Sequence, residues 1–290
     1  MTSSSFDRLV EILPILNEFH GPSSDVYQFL NAAAKDAVEQ RFGPNAAPLQ
    51  SLWPFGEIAM PFHNMGAVDS ADLFGLDELI LFSFYWSNRQ RYRRTLDLGA
   101  NLGLHSIIMD RCGFEVRAYE PDPVHFALLV RNLKLNNCAS VTPNNAAVSD
   151  RTGEAEFTRV LGNTTSSHLS GSKSDPYGLL EKFTVAVADI RPLMDWADLV
   201  KLDVEGHERQ IFVATTVSDW QSTDMMLEVG SPDNAEAIHA HCVALGLKLY
   251  AQKDGWKKVA GLDSMPTSYR DGSLFVTSRS AGPWLSPEVK

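Results

Sequence analysis

The 290-residue sequence has few of the features that mark secreted, metal-bound or membrane proteins. Its three cysteines, Cys112, Cys138 and Cys242, are too few and too scattered for a disulfide framework or a zinc site, and they suit a reducing compartment. No apolar run is long enough to span a bilayer, and the first residues show no signal-peptide pattern. We therefore expect a cytoplasmic protein with no membrane partner.

An excess of positive charge is also lacking, because the formal net charge is −11. Nucleic-acid partners require a basic surface, so we expect none. The one basic stretch, Arg89 to Arg94, is typical of a solvated helix end, where the helix dipole favours cations. Hydrophobic residues make up 44% of the chain and charged residues 21%, as in ordinary globular proteins. Length and composition agree with one large enzyme domain plus an appendage.

The most informative segment is a glycine-containing turn, Asp97-Leu-Gly-Ala-Asn-Leu-Gly103, between a predicted strand and a predicted helix. Glycines let a ligand approach the backbone, and the free N–H groups of a helix start attract polar or anionic groups. Glu120 ends the next predicted strand, where a carboxylate can accept both hydroxyls of a ribose. The pattern favours a nucleotide-like ligand, and a tight turn without ligand is the alternative.

Two common nucleotide motifs are missing from this turn. The spacing Gly99-x-x-x-Gly103 departs from the dinucleotide pattern Gly-x-Gly-x-x-Gly, and no Gly-Lys-Ser/Thr of a P-loop follows. The leading Asp97 would repel a pyrophosphate, but it suits a ligand with an amino group. The methionine part of S-adenosylmethionine (SAM) is such a ligand.

Beyond residue 70, apolar segments of strand length alternate with helical patterns, which is typical of a parallel sheet covered on both faces. The predicted strands are 95–99, 116–120, 141–145, 199–203, 224–229, 248–252 and 273–278. The predicted helices are 104–112, 123–136, 206–214 and 234–245. A long segment near 154–187 breaks the alternation and has a polar tip at 162–168. Loops of this length are unusual unless they are functional.

The first 70 residues have a different pattern. Apolar residues on one helical face predict a helix over Phe6 to Phe19 and a second over Asp25 to Arg41. A small hairpin is expected within 57–68. We therefore predict a helical appendage over residues 1–70, serving as a cap or a dimer contact, and a main domain over 71–290. A homodimer is one option for the assembly.

Four blocks of the sequence resemble the FkbM-type family of class I SAM-dependent methyltransferases. They are Asp97 to Gly103, Tyr119-Glu-Pro-Asp122, Asn145-Ala-Ala-Val-Ser-Asp150 and Lys201-Leu-Asp-Val-Glu-Gly-His-Glu208, in that family's order. The resemblance covers roughly residues 79 to 278. It implies a Rossmann-like α/β fold with a seven-stranded, mostly parallel sheet, helices on both faces and a closing antiparallel hairpin. It also implies SAM as cofactor and, by association, O-methylation of a sugar, glycan or small natural product.

Ligands of open parallel sheets bind beyond the carboxyl ends of the strands. The expected cofactor-binding residues are Asp97, Gly99, Ala100, Asn101, Gly103, Glu120, Pro121, Asp122, Asn145 and Ala146. Asp203 is the first candidate for a general base or an orienting acceptor, with His207 and His168 next. Each has a structural alternative, such as a packed or an exposed histidine.

The residues also permit a metal site and two further functions. Asp203, Glu205, His207 and Glu228 offer ligands for a divalent cation. However, an Asp-Asn pair expected after the next strand is replaced by Leu-Glu-Val-Gly at 227–230, so we expect no metal. N-methylation of a small molecule or peptide stays open, as does a catalytically silent SAM-binding assembly module.

Overall fold

The computed structural model of the protein describes residues 5–172 and 178–284. The helices are α1 (Ser5–Ile12), α2 (Asp25–Phe42), α3 (Leu76–Ser87), α4 (Leu104–Arg111), α5 (Pro123–Leu135), α6 (Ile190–Trp196), α7 (Glu208–Val213) and α8 (Pro232–Leu245). The strands of the first half are β1 (Leu49–Leu52), β2 (Gly56–Ala59), β3 (Arg94–Leu98), β4 (Glu115–Tyr119), β5 (Val141–Asn144) and β6 (Ala147–Ser149). Those that follow are β7 (Gly153–Val160), β8 (His168–Leu169), β9 (Leu180–Asp189), β10 (Leu199–Leu202), β11 (Asp224–Glu228), β12 (Lys248–Ala251), β13 (Lys257–Lys258) and β14 (Ser273–Thr277).

The central layer of the fold is a mixed sheet. Its described strands lie in the order β13-β12-β14-β11-β10-β3-β4-β5. The strands from β11 to β5 run parallel, whereas β12, β13 and β14 pair antiparallel. Strands β3 and β10 lie in the middle, and their side chains are almost wholly buried, as expected for strands covered on both faces. The predicted α/β fold is therefore confirmed.

The prediction of seven strands is wrong by one, because the two-residue strand β13 adds an edge. So short a strand, with lysines at both positions, has no apolar alternation that a sequence could show. The seven predicted strands are confirmed to within a residue or so at each end. Helix α6 was not predicted. Asp189 caps it by accepting a hydrogen bond from the Arg191 backbone N–H at 3.0 Å.

A second sheet is formed by the segment near 154–187 and has the described order β6-β9-β7-β8. Strands β7 and β9 pair antiparallel over eight residues, so most of the predicted loop is a long hairpin. The predicted polar tip lies at its end and includes a short 3-10 helix at Thr164–Ser166. Residues 173–177 of this segment lie outside the described residues.

The N-terminal prediction is only partly correct. Helix α1 ends at Ile12 and a 3-10 helix follows at Asn17–Phe19, because Pro14 lacks a backbone N–H and interrupts the helix predicted to reach Phe19. Helix α2 is confirmed. The hairpin is β1–β2, which lies earlier than expected, since Pro61 cannot donate to a strand ladder.

The two sides of position 70 share one apolar core. Helices α1 and α2 contribute Phe6, Leu13 and Leu30 to the cluster that also holds Leu79 and Phe82 of α3. The division near residue 70 stays a prediction. Over the part of the chain that the structure describes, no helix combines the length and apolarity needed to cross a membrane.

An ion pair links the small sheet to helix α5. Asp122 caps α5 by accepting hydrogen bonds from the backbone N–H groups of Val124 and His125, and Arg159 of β7 donates to both of its carboxylate oxygens at 2.6 Å. Burial by itself raises the pKa of Asp122, but these bonds outweigh burial and hold the pKa below its ordinary value. Since the Asp122 side chain is 1% exposed, its charge depends on Arg159.

We predict that Arg159→Met lowers the free energy of unfolding by about 3–5 kcal/mol, because it leaves a buried carboxylate unpaired. The control is Arg191→Met, whose pair with Asp189 is largely exposed on the arginine side and should contribute below about 1 kcal/mol. Because the folded pKa of Asp122 is depressed, the contribution is complete above its ordinary pKa and is lost as pH falls through the folded value. Urea titrations at several pH values measure both effects, and equal losses in the two variants would contradict the prediction.

Candidate functional site

A cavity of about 770 Å³ lies at the carboxyl ends of β3, β4, β10 and β11. Its floor is formed by residues at or just after the ends of these strands. Its roof comes from the polar tip at 163–167 and from Val68, Asp72 and Leu73 before α3. The cavity lies where the sheet rule predicts a ligand.

The turn after β3 approaches the neighbouring strand through its backbone. Gly99 has φ +78°, and a Cβ atom there would collide with the carbonyl oxygen of Asp203 after β10. The N–H groups of Gly99 and Ala100 donate to the carbonyl of Tyr119 at 3.1 and 3.0 Å. Asn101 adopts φ 50°, a left-handed conformation that asparagine tolerates better than most residues. The turn is therefore fixed by its backbone and leaves room above it.

Glu120 lies between this turn and the start of α5. One carboxylate oxygen accepts the Asn101 backbone N–H at 2.8 Å and the other accepts that of Asp122 at 2.9 Å. The residue is 6% exposed and lines the cavity. Burial raises the pKa of Glu120 to about 7, although the two backbone hydrogen bonds lower it. Each oxygen keeps a lone pair for a further donor.

The predicted cofactor residues separate into two groups. Gly99, Ala100, Asn101, Glu120, Pro121, Asp122 and Ala146 line the cavity. Asp97, Gly103 and Asn145 lie behind its lining, where each supports the turn or its neighbours. Gly103 precedes α4 with φ +84°, and the Asn145 side chain donates to the carbonyls of Glu120 and Pro121.

A buried ammonium group joins the two central strands. Lys201 Nζ lies 3.7 Å from Asp97 Oδ1 and 3.2 Å from Asp203 Oδ2. Burial by itself lowers the pKa of Lys201, but Asp203, Asp97 and Glu78 outweigh burial and hold the pKa above its ordinary value. Among the described residues that line the cavity, Lys201 is the only lysine or arginine. Asp97 also accepts a hydrogen bond from the Ser106 hydroxyl at 2.6 Å.

Several carboxyl groups line the end of the cavity opposite Glu120. Asp203, Glu205 and Glu228 line that end together with Glu78. Burial is the largest cause that raises the pKa of Glu228 well above its ordinary value, and the nearby carboxylates raise it further. Among the residues that the structure describes, no group of three or more His, Cys, Asp or Glu side chains has the arrangement to hold a metal ion.

The two candidate histidines have different surroundings. His207 lines the cavity, but its Nε2 bonds Ser149 and its Nδ1 bonds Ser172, each at 2.9 Å. Burial lowers the pKa of His207, so it is neutral at neutral pH. His168 is 2% exposed, contrary to an exposed loop position. It is not among the residues that line the cavity, and its Nδ1 contacts the Ser166 carbonyl at 2.8 Å. A direct role in catalysis for His168 is therefore not supported.

The cavity includes residues that sequence patterns did not indicate. Glu78 of α3 and His105 of α4 lie in its wall, 2.7 Å apart between Glu78 Oε2 and His105 Nε2. His125 Nε2 lies 2.9 Å from the Thr164 hydroxyl of the roof. His105 comes directly after the glycine-containing turn, and its position was the one available signal. Glu78 had none.

A family model described as a methyltransferase FkbM domain matches residues 97–245, just over half of the chain. The chain belongs to the FkbM methyltransferase family. The predicted family is thereby confirmed, and the protein is a methyltransferase with SAM as its methyl donor. The match includes the turn after β3, Glu120 and the segment from Lys201 to Glu208.

Solved structures that match the chain have low sequence identity to it. The cofactor-bound Rv0187 from MTB is 14% identical with a TM-score of 0.39, covering 89% of this chain and 92% of that one. An O-methyltransferase from Bacillus cereus in complex with SAH is 10% identical with a TM-score of 0.38, covering 68% and 80%. The precorrin-6y C5,15-methyltransferase from Geobacter metallireducens is 15% identical with a TM-score of 0.37, covering 68% and 84%. No curated protein matches the chain, and the assignment rests on the family model.

The Glu120 end of the cavity fits SAM on the chemistry of its groups. Asn101 Oδ1 is buried and has no hydrogen-bond partner among the described residues, so a ligand donor would satisfy it. Glu120 offers acceptor positions to a pair of hydroxyls. Gly99 and Ala100 border the cavity next to these two groups.

We predict that Gly99→Ala lowers the free energy of unfolding more than Gly113→Ala does. Both glycines have positive φ, +78° and +85°, but a Cβ at Gly113 meets nothing within 4 Å. The left-handed backbone should cost each variant about 1–2 kcal/mol, and the collision with Asp203 should add about 1–3 kcal/mol in Gly99→Ala. Chemical denaturation measures the difference, and equal losses would show that the contact between the strands does not constrain the turn.

Proposed function

We propose that this methyltransferase transfers a methyl group to a hydroxyl of a small polar acceptor, such as a sugar, a glycan or a natural product. One observation carries the proposal. The same cavity extends from Glu120, at the end suited to SAM, to the carboxylates around Asp203. A cofactor and an acceptor can therefore share one space of about 770 Å³.

The cofactor would be held by the turn after β3 and by Glu120. Glu120 accepts the ribose hydroxyls, the backbone of Gly99 and Ala100 borders the ligand, and Asn101 Oδ1 accepts from a ligand donor. Bound SAM supplies an electrophilic methyl group on a sulfonium.

The polar tip supports a hydroxylated acceptor. Asn163, Thr164, Thr165 and Ser166 line the cavity and offer both donors and acceptors. The N-terminal segment holds this tip in place, since Ala67 donates its backbone N–H to the Gly162 carbonyl and Thr164 donates to that of Met65. These contacts favour the cap among the two roles predicted for residues 1–70. A cytoplasmic location and a homodimer remain predictions.

Asp203 is the proposed orienting acceptor for the substrate hydroxyl. Its side chain is 33% exposed, so it can accept from a ligand in the cavity. The ion pair with Lys201 at 3.2 Å fixes its position. His207 contributes to the wall rather than to proton transfer, because both of its ring nitrogens already bond serine hydroxyls.

We predict that SAM affinity falls as pH decreases through about 7, the pKa of buried Glu120, because a protonated carboxyl accepts hydroxyl hydrogen bonds less well. Glu120→Ala should weaken binding by about 1–3 kcal/mol and remove this pH dependence. The control is Glu115→Ala, at the exposed start of the same strand. Calorimetric titration with SAM at pH 6 to 8 measures both effects. A pH-independent affinity in the wild-type protein would contradict the role of Glu120.

We predict that methyl-labelled SAM transfers its label to the oxygen of hydroxylated acceptors in a panel that also contains amines and peptides. Asp203→Asn should lower kcat/KM roughly 10- to 100-fold through a weaker charge-assisted hydrogen bond and leave SAM affinity nearly unchanged. Mass spectrometry of the products identifies the methylated atom. Label on nitrogen would favour N-methylation, whereas tight SAM binding without transfer would favour a silent assembly module.

A further inference from the structure

Three side chains form a hydrogen-bonded chain in the wall of the cavity. Tyr85 Oη lies 3.0 Å from His105 Nδ1, and His105 Nε2 lies 2.7 Å from Glu78 Oε2. Tyr85 is fully buried, His105 is 9% exposed, and the Glu78 side chain is 30% exposed. These hydrogen bonds therefore connect the apolar core with the cavity and end on the Glu78 carboxylate.

The burial of Tyr85 indicates which atoms donate and which accept in these two hydrogen bonds. Burial first, and the nearby Asp97 and Glu78 next, raise the pKa of Tyr85 well above its ordinary value. The phenol therefore keeps its proton, and we assign it as the donor to His105 Nδ1. An imidazole that accepts at Nδ1 carries its proton on Nε2 and donates it to Glu78 Oε2. One Glu78 oxygen is thus fixed by the imidazole.

The second Glu78 oxygen, Oε1, has no hydrogen-bond partner among the residues of 5–172 and 178–284. Three other groups in the cavity that could take a proton are already engaged. Asp203 is paired with Lys201, His207 bonds two serines, and His125 bonds Thr164. Burial also lowers the pKa of His125. Glu78 lies on the same side of the cavity as Asp203 and Glu228.

We propose that Glu78 is the general base of the reaction and that His105 and Tyr85 are its positioning residues. The acceptor oxygen forms a bond to the methyl carbon, the bond between that carbon and the sulfonium sulfur breaks, and the hydroxyl proton passes to Glu78 Oε1. S-adenosylhomocysteine leaves without the sulfonium charge, and Glu78 later releases its proton to water. Asp203, on the same side of the cavity, orients the same hydroxyl.

The assignment rests on the proposed function, but it concerns a residue outside the family match. Glu78 lies before residues 97–245, so the family assignment gives it no role. Its partner His105 lies inside the match. The tertiary structure alone brings the first turn of α3 against the first turn of α4.

The first experiment compares Glu78→Gln with Asp203→Asn and with the control Glu115→Gln. A glutamine at position 78 can still accept from His105 Nε2 through its amide oxygen, so the wall keeps its shape. We expect Glu78→Gln to lower kcat roughly 10²–10⁴-fold and to change KM little. Asp203→Asn should mainly raise KM, and Glu115→Gln should match the wild type.

Binding measurements separate proton transfer from cofactor binding. Calorimetry with SAM and S-adenosylhomocysteine should give affinities for Glu78→Gln within about threefold of the wild type, a difference of roughly 0.7 kcal/mol. A loss of SAM affinity above tenfold would overturn the proposal, because Glu78 would then be a cofactor ligand. Full turnover in Glu78→Gln would overturn it directly. Absence of transfer by the wild-type protein to any acceptor would instead contradict the proposed function.

The tautomer of His105 can also be measured without turnover. Nitrogen-detected NMR of the histidine rings should find the proton of His105 on Nε2 in the wild-type protein and a mixture of tautomers in Tyr85→Phe, which lacks the donor to Nδ1. Tyr85→Phe should lower kcat several-fold with unchanged SAM affinity, as expected of a positioning residue. If the wild-type protein carries the His105 proton on Nδ1, the proposed donors and acceptors of these hydrogen bonds are wrong.

Discussion

A buried ammonium group holds the centre of this protein together. Lys201 projects from β10 between Asp97 of β3 and Asp203, and its Nζ also donates to the carbonyl of Gly99 at 3.4 Å. Removing one partner of such a buried cluster leaves uncompensated charge and typically costs about 3–5 kcal/mol. Because β3 and β10 are neighbours in the sheet, this one side chain fixes the two strand ends from which the cavity opens. The positions of the turn and of Asp203 both depend on it.

The ion pairs of Lys201 lie at only one end of the cavity, so the charged groups at its two ends differ. Lys201 compensates Asp97 and Asp203, and no other lysine or arginine lines the cavity within the described chain. Burial first, and the nearby carboxylates next, raise the pKa of Glu228. At the other end, Glu120 is buried among backbone N–H groups rather than cations. An acidic surface near the methyl donor disfavours anionic acceptors and tolerates a cationic sulfonium.

The roof of the cavity comes from two segments that are distant in sequence. A backbone bridge between Gly66 and Asn163 joins them, and a Cβ at Gly66 would collide with the Gly162 carbonyl. The long β7–β9 hairpin carries the polar tip over the sheet, and the Asp122–Arg159 pair ties that hairpin to α5. The N-terminal helices, in turn, pack on α3, which presents Glu78. The roof therefore depends on contacts between segments that are far apart in the sequence.

The sequence by itself determined the central sheet, the turn from Asp97 to Gly103, Glu120 and the family, because these depend on local patterns. Continuous apolar runs mark buried parallel strands, and a glycine turn that ends in a helix has a distinctive composition. The sequence patterns were weaker or competed with one another at three places where the prediction differed from the structure. These are the two lysines of β13, the capped helix α6 and the end of α1 before Pro14. Only the tertiary structure decided that His168 lies outside the cavity and that Glu78 contacts His105. It also decided that both ring nitrogens of His207 and both carboxylate oxygens of Asp122 have hydrogen-bond partners. Those pairings connect residues between 27 and 58 positions apart, and no local pattern records which side chains meet when the strand ends converge.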